Sequence, residues 1–342
     1  MAALSKNIFL GWALMKKILV LCLLLLLTGC AKAQVETETI PESRLVVYTS
    51  HKEAVYRPII REFEERTGIW VELVTGGSYE LLERLEAEQT APKADVMFGG
   101  GVESLESYRH LFQALRCQQW GTISQDFRQP EDDWTPFSAL PLVLIYNPKL
   151  VDPARLTGWE DLTRPEFRGK IAFASPTRSA SSFTAVVTVL RACGEDTLTA
   201  LAGNLAGCQL DSSGEVLTAV ADGEALVGIT LEETALQRIA AGSNLGLVYP
   251  KEGTSCVPDG TAVVAGAPHP ENARAFLDFT LSREVQQLLG SQFFRRSVRE
   301  DVTVPDSLPA LEELALVSYD PRWASENREE ILEKWEKAVK EG

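Results

Sequence analysis

From Leu45 onward, short apolar runs alternate with stretches whose apolar residues recur every three or four positions, and this alternation restricts the fold more than any other feature. Residues 45–48 read as a strand, and the next segment places Val55, Ile59, Ile60 and Phe63 on one helical face before Thr67-Gly68 stops it. A strand at 69–74, a helix at 78–88 with Leu81, Leu82 and Leu85 inward, and a strand at 94–98 continue the series. Further strands are predicted at 142–146, 170–174, 225–230, 246–249 and 261–264. Helices are predicted at 181–192, 214–222, 232–241, 270–280 and 282–289, with helical stretches at 308–316 and 327–339. The pattern predicts an α/β fold of mainly parallel sheets flanked by helices. With 342 residues, 45% of them apolar, the chain has material for two such units joined by a hinge.

The first residues read as an address. Met15-Lys16-Lys17 precedes an apolar run at 18–27, too short to span a bilayer comfortably, and Leu27-Thr28-Gly29-Cys30 closes it. That ending resembles a lipobox, which makes 1–29 a lipoprotein signal peptide and Cys30 the acylated N-terminus, with the protein held outside the cytoplasm. Residues 30–43, poor in apolar side chains, read as a flexible tether. In an oxidising compartment Cys117, Cys193, Cys208 and Cys256 are expected to form two disulfides, Cys193 with Cys208 and Cys117 with Cys256. No Cys-x-x-Cys pair or histidine at ligand spacing accompanies them, so no metal or cofactor is expected. A formal charge of −15 argues against nucleic acid as a partner.

Chemistry concentrates where strands end and helices begin. Thr49-Ser50-His51, Thr75-Gly76-Gly77-Ser78, Gly99-Gly100-Gly101 and the serine-rich 175–182 segment all occupy such turns. In a parallel sheet these turns gather on the carboxyl edge, where ligands of open α/β folds bind. Small residues uncover backbone N–H groups, hydroxyls add donors, and helix starts supply a positive field, which together describe an oxyanion pocket. Any one turn alone is adequately explained as a cap or tight turn. The triple glycine lacks the spacing of a dinucleotide fingerprint.

Tyr48-Thr49-Ser50-His51-Lys52-Glu53, Ala94-Asp95-Val96-Met97-Phe98-Gly99-Gly100-Gly101 and Trp159-Glu160-Asp161-Leu162 resemble the extracellular solute-binding proteins of ABC importers. Gly169-Lys170-Ile171-Ala172-Phe173-Ala174, Tyr249-Pro250-Lys251-Glu252-Gly253-Thr254-Ser255 and Pro258-Asp259-Gly260 carry the same resemblance, to the branch of ferric-iron, aminoethylphosphonate and sugar-phosphate binders. It implies the two-lobed type II periplasmic-binding-protein fold, with 44–137 and 254–302 as lobe 1 and 138–253 and 303–342 as lobe 2. It also implies a monomer that closes around a small anionic solute and delivers it to a permease and ATPase. The expected ligand residues are Thr49, Ser50, His51, Ser78, Gly100, Ser179, Ser181, Ser182, Glu232 and Glu233, with charge from Lys52 or Arg178 and one of the two glutamates facing the far end of the ligand.

Other readings compete. Ferric binders of this branch use adjacent tyrosines after the strand that corresponds to 225–230, whereas this chain has Leu231-Glu232-Glu233-Thr234 there. Oxygen ligands from Glu232 or Glu233 with His51 keep iron open. A ligand sensor partnering a membrane histidine kinase would use the same closure. A secreted hydrolase is the remaining class, although His51, His110 and His269 lie in no nucleophile or metal motif. Trp70, Trp159 and Tyr146 are expected in the core, and Arg295-Arg296 as solvated charge.

Overall fold

The computed structural model describes residues 43–128 and 131–342. The expected signal peptide, the expected tether up to residue 42 and Cys30 lie outside the described residues.

The first strand, β1 (Arg44–Thr49), leads into α1 (Glu53–Thr67). Val55, Ile59, Ile60 and Phe63 form the buried face of α1, as their spacing predicts, and Gly68 ends it at φ 70°, donating its N–H to Glu64. Then follow β2 (Trp70–Thr75), α2 (Ser78–Ala87), β3 (Val96–Gly101) and the short α3 (Val102–Ser107). The long β4 (Thr135–Tyr146) is followed by β5 (Ile171–Ala172), α4 (Ala180–Asn204), α5 (Ser213–Ala221), β6 (Val227–Leu231), α6 (Glu232–Ala240) and β7 (Gly246–Val248). The chain ends with β8 (Cys256–Val263), α7 (Pro270–Thr280), α8 (Arg283–Phe293), β9 (Arg296–Ser297), α9 (Pro321–Glu326) and α10 (Arg328–Glu341).

The strands β2, β1 and β3 pair in parallel, and so do β5 and β6, which places their carboxyl ends on common edges. Two strands depart from the expected direction. β8 runs antiparallel to β3, and β4 runs antiparallel to everything it pairs with. Residues 135–141 of β4 pair with β8, whereas 142–146 pair with β6 and β7, so this one strand serves both groups. A strand doing so is buried on both faces, and all its residues but the last are buried. Each group carries apolar cores on its two faces. One core packs Val55, Ile59, Phe63, Phe276 and Leu289 under β1, β3 and β8, and another packs Phe183, Leu201, Ile331 and Trp335 against β4 and β6.

Several expectations need correction. The four cysteines of the folded part are free, Cys117 buried and Cys208 exposed, so neither expected disulfide is present. Trp70 is 68% exposed, because the period of two that buries Val71 turns its neighbour outward on the edge strand. Trp159 is fully buried, as expected, and Tyr146 is half-buried. The helix expected at 181–192 continues to Asn204 across a break at Gly194 (φ 85°). Residues 308–316 hold only one 3₁₀ turn, Leu311–Glu313. Arg295 and Arg296 are 5% and 1% exposed rather than solvated.

Candidate functional site

Five helices of eight residues or more begin at one cleft of about 230 Å³. Lys52 precedes α1, Gly77 precedes α2, Ser179 caps α4, Ser213 opens α5 and Leu231 precedes α6, and all five residues line the cavity. Each start has backbone N–H groups without partners inside its own helix, and their dipoles add to a positive local field despite the acidic surface.

Ser50, His51, Ser78, Gly100, Ser179, Ser181 and Glu233 are brought together there, with Lys52 and Arg178 at the same cleft. The end of β1 places Ser50, whose N–H bonds to the Phe98 carbonyl at 3.3 Å. A Cβ added at Gly99 (φ 99°) would lie 2.9 Å from Ser50 Oγ and 3.1 Å from His51 Nε2, so only glycine lets these turns approach. At the start of α4, Ser179 Oγ lies 3.1 Å from Ser181 Oγ and accepts the Ser182 N–H at 3.3 Å.

Three of the expected ligand residues stand elsewhere. The Thr49 hydroxyl donates to the Phe98 carbonyl at 2.8 Å and accepts the His51 N–H at 3.2 Å, so it shapes the turn from within the core. Ser182 is buried behind the cleft and uses its N–H to complete the α4 cap. Glu232 receives two bonds of 2.8 Å from the Arg296 guanidinium and one from the Tyr249 hydroxyl, which turns it away from the cleft. Its neighbour Glu233 is the glutamate on the cavity wall.

Asp259, Arg295, Thr184, Thr234 and Ser213 line the cleft without having been picked out as ligand residues from the sequence. Arg295 binds Asp259 Oδ2 at 2.6 Å, Ser138 Oγ at 3.0 Å and Glu233 Oε1 at 3.3 Å. This buried network ties α6 to β4 and β8 across the base of the cleft. Gln237 and Thr234 also donate to Glu233, at 3.0 and 2.8 Å.

The cleft walls carry Lys52, Arg178 and Arg295 against Glu233 and Asp259. Burial lowers His51 to about 3, with Arg295 acting in the same direction and Asp259, 3.6 Å away, opposing, so its imidazole is neutral at physiological pH. Loss of water also lowers Lys52, against the attraction of Glu233, while its Nζ lies 3.2 Å from Thr234 Oγ1. Arg178 is exposed and paired with Asp211. Hydroxyls, amides and helix starts, with acidic and basic side chains near balance, suit a compact oxyanion with polar groups at its far end.

Known proteins resemble this chain over most of its length. The putative 2-aminoethylphosphonate-binding periplasmic protein of Salmonella typhi is 26% identical over 279 residues, which span 76% of this chain and 80% of that one. Iron uptake protein A1 of Synechocystis sp. is 26% identical over 290 residues, 80% of each chain. The periplasmic binding protein AfuA from Actinobacillus pleuropneumoniae, solved with exogenous fructose 6-phosphate bound, superposes with a TM-score of 0.80 at 25% identity, covering 87% of this chain and 98% of AfuA. Residues 45–295 match the family model described as bacterial extracellular solute-binding protein. With that match, and with the type II periplasmic-binding fold built around its cleft, the chain belongs to the bacterial extracellular solute-binding proteins.

Proposed function

We propose that this protein is the substrate-binding component of an ABC importer and captures a small organic anion bearing a phosphate or phosphonate group. The observation that carries the reading is the convergence of five helix starts and the hydroxyls of Ser50, Ser78, Ser179 and Ser181 on one cleft. Glu233 and Asp259 stand at the same cleft as acceptors for hydroxyl or amine groups of the solute. Closure would follow from the ligand touching walls on both strand groups, and release to a permease driven by its ATPase from their reopening. Acylation at Cys30 would keep the protein at the outer face of the membrane.

The donor set does not suit ferric iron. No tyrosine lines the cleft among the described residues, and Tyr249 is committed to Glu232. No group of three or more His, Cys, Asp or Glu among those residues is placed to hold a metal ion.

A thermal-shift panel tests the reading. Phosphorylated sugars and phosphonates at 100 times their Kd should stabilise by about 2.7 kcal/mol, roughly 4 °C in Tm, and be recovered chemically unchanged. Ferric citrate should give neither a shift nor a visible charge-transfer band. A shift with ferric citrate and none with the phosphorylated compounds would replace this solute class with iron.

A further inference from the structure

Glu103 stands in the first turn of α3, directly behind the cleft floor. A Cβ on Gly101, which lines the cleft, would lie 3.0 Å from Glu103 Oε2 and 3.1 Å from the Ala180 Cβ. The carboxyl is therefore wedged where the end of β3 meets the start of α4, and it is 1% exposed. Its Oε1 accepts from Thr184 Oγ1 at 2.9 Å and from the Tyr319 hydroxyl, whereas Oε2 is buried without a hydrogen-bond partner among the described residues. Thr184 itself lines the cleft, on the helix that carries Ser179 and Ser181.

An ionised carboxylate with one oxygen unpaired in such a place costs much more than the neutral acid does. Thr184 Oγ1 also lies 3.1 Å from the Ala180 carbonyl. Donating its hydrogen there frees the hydroxyl oxygen to accept a hydrogen bond from a protonated Oε1. Burial pushes Glu103 up to about 7, with its own backbone N–H, Thr184 and Arg328 pulling the other way. Thr184 faces it from α4 and Tyr319 from the segment before α9. Arg328 of α10 acts on it through its charge and donates to the hydroxyl of Tyr79, a neutral phenol on α2, at 2.9 Å.

We propose that Glu103 is a positioning residue that joins the two cleft walls in its neutral form and thereby makes anion capture take up a proton. The inference rests on the anion reading above and assigns it a regulation by pH. A bound anion near the floor disfavours a second negative charge behind it, so affinity falls as pH rises through the Glu103 transition.

The test compares wild type with Glu103→Gln and has two arms. Without ligand, the folded state holds this proton more tightly than the unfolded chain does. Its stabilisation is therefore complete below the ordinary value of 4.5 and is lost as pH rises to about 7. The wild-type minus Gln difference in Tm should decline over that window and be flat above it. With fructose 6-phosphate or 2-aminoethylphosphonate as probes, wild-type affinity should fall roughly three- to fivefold between pH 7 and 8 relative to the Gln variant. Calorimetry at pH 7 in two buffers of different ionisation enthalpy should show extra proton uptake that the variant lacks. Parallel pH profiles for the two proteins overturn the proposal. If the Gln variant does not fold, Tyr319→Phe replaces it: losing one donor should raise the pH midpoint, and an unmoved midpoint overturns the proposal. If neither probe binds while the ligand-free difference follows pH, the anion reading fails and the buried switch remains without its ligand coupling.

Discussion

An Arg295→Met variant is expected to lose about 3–5 kcal/mol of stability, because it strands two buried carboxylates at once. Arg295 is 5% exposed, and Asp259 and Glu233, its acidic partners, are 5% and 3% exposed at the side chain. In water a lost ion pair costs little, since each charge regains hydration. Here neither carboxylate can, and Asp259 also accepts the Ser138 N–H and hydroxyl that fix β4. Removing the guanidinium also removes the repulsion that helps keep His51 neutral, so the His51 pKa should rise from about 3 toward its ordinary range. Urea denaturation measures the first effect and NMR titration of the imidazole the second. The contrast is Arg178→Ala: its pair with Asp211 is 65% and 78% exposed, and its loss should stay within about 1 kcal/mol of wild type. Equal losses for the two arginines would contradict the role given to the network.

The Ser50→Ala and Ser181→Ala double variant should bind a phosphorylated ligand 10²–10⁴-fold more weakly while keeping its fold. Each hydroxyl bonded to a charged oxygen contributes roughly 1.5–3 kcal/mol, and the two belong to different walls of the cleft, so their losses should be close to additive. Neither hydroxyl is the cap of a helix. Ser179 accepts the α4 N–H that needs capping, and alanine is a good helix former at the position of Ser181. Isothermal titration calorimetry of the two single variants and the double variant measures the loss, and unchanged affinity would take these serines out of the site.

How much of this could be read in the sequence depends on whether a residue's role is local. Val55, Ile59, Ile60 and Phe63 declare a helix by spacing alone, and the Ser179 to Ser182 run declares its start. The turns at Ser50, Ser78 and Gly100 could be placed on one edge because parallel pairing follows from alternation. The antiparallel course of β4 and β8 could not, since it depends on which strands the chain later threads between the two groups. Glu232 and Glu233 are adjacent and chemically identical, and only their distant arginine partners, Arg296 for Glu232 and Arg295 for Glu233, decide which one faces the cleft. Arg295 and Arg296 read as solvated because their acidic partners are distant in sequence. The apolar Phe293, Phe294 and Val298 around them were the available sign of burial. The disulfide expectation failed for a similar reason: compartment and cysteine count say nothing about whether two Cβ atoms meet.

The central claim is that the cleft recognises a phosphate or phosphonate oxyanion. Its most direct measurement is calorimetric titration of the wild-type protein with a phosphate ester and its parent alcohol, fructose 6-phosphate against fructose, with 2-aminoethylphosphonate alongside, at one pH and salt concentration. The account predicts binding of at least one phosphorus-bearing solute and none of fructose. Equal binding of ester and parent sugar, or binding of neither phosphorus compound, would contradict it.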